Sequence, residues 1–229
     1  MNQPAESSSP NPDERVGIKH FIKEIQLING EVIKLPSLHI ERLKLFSGSP
    51  VPGLETFRDS EETTVGSGVY LTSQKEAARG YALVRGSRLP AIPTLYEVEI
   101  ADMDMVDLAT RVAVESFAKL WRQELENWRE TKLPIINVPH EMVRETYEER
   151  VQKVIEFIDR NSFRYLRDLT FNFGGLIREV FTRQEYDGLI AIEGGESGNG
   201  VTIGDHDSYV IFDSTKVKKV GEEPLRTSS

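Results

Sequence analysis

The feature that most limits what this chain can fold into is a change of hydrophobic period along its length. From residue 18 to 52, short apolar runs (IQLI, EVIKL, LHI, LKLF) are punctuated by Gly30, Pro36 and Gly48, the pattern of strands with a short helix at the start. In the middle the spacing changes to three and four. Val114, Phe117, Leu120, Trp121, Leu125 and Trp128 make one such stripe, and Val143, Tyr147, Val151, Val154, Ile155 and Ile158 a second, each a helix with one face to bury. Strand-like runs return at 189–192, 201–203 and 209–212, and another, 95–100, stands just before the helices. Strands, then helices, then strands predict an α+β fold and exclude the alternating βαβ order of a parallel sheet. The run Gly194, Gly195, Gly198, Gly200 lacks both the spacing and the following helix of a dinucleotide fingerprint, so it reads as a mobile hairpin loop.

Composition narrows the chemistry. With 229 residues and 38% hydrophobic side chains the chain can bury one substantial core. We expect one domain over 16–220, its helical middle over about 102–185, with flexible tails at 1–15 and 221–229. There are 37 acidic against 28 basic residues, a net charge of −9, which argues against binding nucleic-acid phosphates by overall charge. The absence of cysteine removes thiolate chemistry and Cys-ligated zinc. No HExxH, GxxxxGK[ST] or GxSxG occurs, and His20, His39, His140 and His206 are scattered, each read as a surface or core residue. No signal-like or membrane-spanning run is visible, so a cytoplasmic protein without membrane partners is expected.

One segment, 66–81, has a more particular pattern. Val69, Tyr70 and Leu71 read as a short strand leaving a glycine turn, and Ser73 with Glu76 reads as a capping box opening a helix. Ala77 and Tyr81 lie four apart and share a face of that helix. Tyr70 at the strand end and Tyr81 on the helix can converge on one cleft, where two rings would suit a flat heteroaromatic ligand. From spacing alone, two core or half-buried tyrosines are the favoured reading.

This segment resembles the second motif of the ADP-ribosyltransferase superfamily, in the branch of the poly(ADP-ribose) polymerases and diphtheria-type toxins. There a Gly-x-Gly-(Ile/Val)-Tyr strand is followed, eleven residues after its tyrosine, by a second tyrosine, as Tyr70 is by Tyr81 here. Leu45-Phe46-Ser47-Gly48-Ser49 is similar to the first motif, and Ser208-Tyr209-Val210-Ile211-Phe212-Asp213 to the last. Tyr186-Asp187-Gly188-Leu189-Ile190 resembles the strand before it in bacterial and phage-borne members. The resemblance, spanning about 43–220, implies a split-sheet ADP-ribosyltransferase-like fold. It also implies NAD as substrate without a metal, held by Ser47, Gly48, Tyr70, Ser73 and Tyr81, with the nicotinamide between the tyrosines. The acceptor it implies is a macromolecule, a protein in preference to nucleic acid, as for a toxin or phage effector.

The departures fall on catalytic positions. Ser47 stands where the family has a histidine, Ser208 where it has its glutamate, and Ala78 where many members have a serine. A neutral hydroxyl does not stabilise the positive charge that develops on the ribose, and losing such a group costs on the order of 10²–10³ in rate. Ser208 with Asp207 and Asp205 is the catalytic set expected, Glu193 and Glu196 being further substitutes. Alternation along a strand through Asp207 would turn its carboxylate away from the Ser208 face. Lys75, Arg79, Arg85 and Arg88 are candidate cations for the pyrophosphate, and a degenerate binding module is the alternative reading.

Overall fold

The computed structural model describes residues 17–59, 65–86, 92–131, 141–170, 173–194, 197–198 and 201–225. The 1–15 tail lies outside them, as do Arg88, His140 and Glu196. The first block is a hairpin. β1 (Ile18–Gln26) pairs antiparallel with β2 (Val32–Ser49) around a turn in which Gly30 has φ 84°. The expected helix at the start is not formed. Ile25 and Leu27 are buried while Gln26 and Ile28 face out, the period of a strand.

β4 (Thr94–Asp107) pairs antiparallel with β2 from Ser37↔Val106 to Ser49↔Thr94. Its other edge is shared: β9 (Lys218–Pro224) pairs along its first half, and β5 (Gly188–Glu193) pairs parallel to Met105–Asp107. β8 (His206–Ile211) pairs antiparallel with β5, and β3 (Val69–Leu71) with β8. A bridge between Phe46 and Thr72 then brings the end of β3 back to β2 and closes the path β2–β4–β5–β8–β3 into a ring. One face of these strands fills the interior, with Leu45, Leu71, Val98, Ile100, Met103 and Ile211 almost wholly buried.

Helices occupy the connection from β4 to β5: α2 (Arg111–Thr131), α3 (Glu141–Asp159), the single turn α4 (Arg167–Thr170) and α5 (Gly174–Arg183). The expected stripe on α2 is the buried one, and Trp121 donates its indole N–H to Leu169 O at 2.8 Å while stacking on Phe117. An Arg122–Asp159 ion pair ties α2 to α3. The chain is therefore α+β. Among the described residues no helix is long and apolar enough to cross a membrane.

Two expected boundaries are corrected. The helical middle does not begin at 102: Asp102, at φ 52°, bends β4, after which Met103 and Met105 are buried with Asp104 between them less so, and helix begins only at Arg111. Nor are 221–225 a tail. Gly221 and Glu222 complete ladder pairs with β4, and Leu225 is buried against Ala78 and Ala82. The 201–203 run contributes only β7 (Val201–Thr202), which pairs with β6 (Ser197–Gly198) as a small hairpin.

Candidate functional site

The bridge at Phe46 sets the site. Phe46 N–H donates to Thr72 O at 2.8 Å and Thr72 N–H to Phe46 O at 2.9 Å, so the strands carrying the three sequence motifs stand side by side. Ser47 Oγ donates to Tyr70 O at 3.4 Å. Side chains alternate along β2, and Phe46 and Gly48 face α1 (Lys75–Gly86), whose Ala78 and Ala82 pack on them. Ser47 therefore points to the other side, with Leu45. Gly48 is required by packing: a Cβ there would overlap Ala78 O and stand 2.8 Å from Ala82 N. Ala78, 1% exposed, is small for the same reason.

β8 begins at His206 and so runs through Asp207, whose carboxylate turns away from Ser208 as alternation requires. It accepts from Thr72 Oγ1 at 3.0 Å, Ser73 N at 3.3 Å and Ser73 Oγ at 2.5 Å. This corrects the capping-box reading. The carboxylate takes the Ser73 hydroxyl, helix begins at Lys75, and Thr72 Oγ1 instead accepts from Gln74 N–H at 3.1 Å. A carboxylate beside the first turn of α1 also complements the helix dipole.

Ser208 is 3% exposed and lies on the face toward α1. Two residues share that face: Glu193, already a candidate substitute for the glutamate, and His206, which the sequence alone reads as a surface or core residue. His206, 2% exposed, has Nε2 3.4 Å from Ser208 Oγ, and its ring packs at 5.4 Å and 70° against Tyr81, which is half-buried. Glu193, 8% exposed, is the cross-strand partner of His206, as Ala191 is of Ser208. Directly opposed residues have Cβ atoms about 4.5–5.5 Å apart, so Glu193 and His206 leave the sheet side by side on one face. Period-two counting back from Ser208 finds His206, whereas Glu193 needs the β5–β8 register.

The remaining expected residues are distributed around this group. Tyr70 packs on the helical core and donates its hydroxyl to Gly66 O at 2.7 Å. Asp205 accepts from Tyr165 OH at 3.1 Å. Lys75 and Arg79 turn to Glu223 at 3.0 and 3.8 Å, on β9, and the Arg85 side chain is outside the described ones. Different cations stand at the β5–β8 end: Arg164 and Arg167 each lie 4.9 Å from the Tyr165 ring, and Arg167 donates to Gly194 O at 2.6 Å. Two open hollows, one beside Arg129 and Lys153 and one beside Arg178 and Arg183, are lined by none of these residues.

Compared with family models, with characterised proteins and with solved structures, the chain matches none.

Proposed function

We propose that the chain is an ADP-ribosyltransferase-like protein that holds NAD against Tyr81 and transfers ADP-ribose to a macromolecular acceptor, a protein in preference to nucleic acid. The observation that carries this reading is the adjacency of the three motif strands. β2 meets β3 at Phe46–Thr72, β3 pairs with β8, and the helix after β3 lays Tyr81 against His206 of β8. Residues distant in sequence are thus gathered at one end of a closed sheet, with the half-buried ring of Tyr81 among them.

The chemistry asks for a group that stabilises positive charge on the ribose as the bond to nicotinamide breaks, and Ser208 alone is neutral. Asp207 is engaged by Thr72 and Ser73, and Asp205 by Tyr165. Glu193 is the acid on the Ser208 face. Arg164 and Arg167 supply positive charge at this end for a dianionic pyrophosphate.

Isothermal titration with NAD, followed by mass spectrometry of the products with candidate acceptors present, tests the reading. Binding with release of nicotinamide is expected, and absence of binding removes it. A second reading, a binding module without catalysis, draws on the neutral Ser208 and on Ser47 facing the other side of β2. It expects NAD to be bound and recovered intact.

A further inference from the structure

Resting on the NAD reading, we infer that His206 is the general base of this site, its Nε2 aimed at Ser208. His206 Nδ1 lies 2.9 Å from Gly204 O. A carbonyl only accepts, so Nδ1 carries the proton, and in the neutral ring Nε2 keeps its lone pair. That lone pair faces Ser208 Oγ at 3.4 Å, a hydroxyl–imidazole pair at the loose end of the range seen before a ligand tightens it. A backbone carbonyl here fixes the tautomer, the task an orienting group performs for a catalytic histidine.

Around the imidazole, the described residues include polar groups from three elements. From β5 comes Glu193, directly opposite; from α1 comes Tyr81, edge to ring; from β8 itself comes Ser208. At the next step along the chain Asp205 is engaged by Tyr165, and Arg167 reaches Gly194 O. Asp207 points away, to Thr72 and Ser73. Glu193 is thus an acid that leaves the sheet on the same face as the ring.

The transfer step balances with these groups. An acceptor O–H or N–H attacks the anomeric carbon of the nicotinamide ribose. The bond from that carbon to the ring nitrogen breaks, its electron pair leaving with neutral nicotinamide. The proton of the acceptor passes to His206 Nε2, directly or through the Ser208 hydroxyl. His206 then takes the proton-accepting part of the missing glutamate.

Nicotinamide release by wild type and His206→Asn, with NAD affinity measured beside it, tests the role. His206→Asn is expected to lower turnover by on the order of 10²–10⁴ with affinity within a few fold. Unchanged turnover in His206→Asn overturns the inference. Nitrogen NMR of the wild-type imidazole gives a reading without activity: protonation at Nε2 in the neutral ring also overturns it. Wild type that binds NAD without consuming it removes the base and leaves the binding reading standing, whereas wild type that does not bind NAD removes both.

Discussion

Gly48 and Ala78 are in backbone contact: α1 lies so close to β2 that a Cβ on Gly48 would occupy the space of the Ala78 carbonyl oxygen. The contact holds the second motif on the first, since α1 carries Tyr81 and β2 carries Ser47. Gly48→Ala is expected to force the helix outward and to cost 1–3 kcal/mol or more, the range of overpacked cores, because backbone cannot rotate away as a side chain can. Chemical denaturation checks this, and a variant as stable as wild type would show that α1 does not pack as described.

Asp207 and Ser73 make the second such tie. The carboxylate gathers three hydrogen bonds from Thr72 and Ser73, joining β8 to the start of α1. Asp207→Asn removes the charge and leaves one oxygen to serve three donors. Hydrogen bonds to a charged group contribute about 1.5–3 kcal/mol, so a destabilisation of about that size is expected in urea titration. Hydrogen exchange should quicken in the first turn of α1 before it does in α2. Equal protection in variant and wild type would mean that Asp207 does not anchor the helix.

How far these ties were legible in the sequence follows from their range. The helical stripes were legible because Val114, Phe117, Trp121 and Leu125 repeat with the period of the structure they form, and all are buried. Alternation was enough to turn Asp207 away from Ser208. β9 was not legible, because Lys218 to Pro224 is a polar run whose strand form comes from the edge of β4, more than a hundred residues earlier. The same holds for Glu193 beside His206, which depends on the β5–β8 register. Ser73 was misassigned because its local cap competes with a distant carboxylate.

Two tyrosines predict how stability depends on pH. Burial pushes the phenols of Tyr96 and Tyr186 above their ordinary value, against the opposing effect of hydrogen bonding at Leu54 and Ser37. The unfolded phenols titrate near about 10. Between that pH and the higher folded value the unfolded state has lost protons that the folded state keeps, so stability is present below about pH 10 and falls as pH rises through this window. Tyr96→Phe with Tyr186→Phe should flatten the fall, at the cost of the Tyr96–Val51 and Tyr186–Ser37 hydrogen bonds. Urea midpoints from pH 8 to 11 check it, and parallel curves for variant and wild type would rule it out.

Tyr70 and Tyr81, equivalent in the sequence pattern, differ in what surrounds them and should separate on mutation. Tyr70 packs on the helical core and donates its hydroxyl to Gly66 O, so Tyr70→Phe is expected to cost about 0.5–1.5 kcal/mol of stability and little NAD affinity. Tyr81 is half-buried and its ring meets His206. Stacking a base-like ring on an aromatic side chain is worth about 1–3 kcal/mol by alanine substitution. Tyr81→Ala should therefore weaken NAD binding by roughly 5- to 150-fold, since about 1.4 kcal/mol is tenfold. Tyr81→Phe, which keeps the ring, should retain most of the affinity. Titration calorimetry on the three variants beside their melting curves separates these effects. An affinity unchanged in Tyr81→Ala but lost in Tyr70→Phe would move the ligand to the core side of β3.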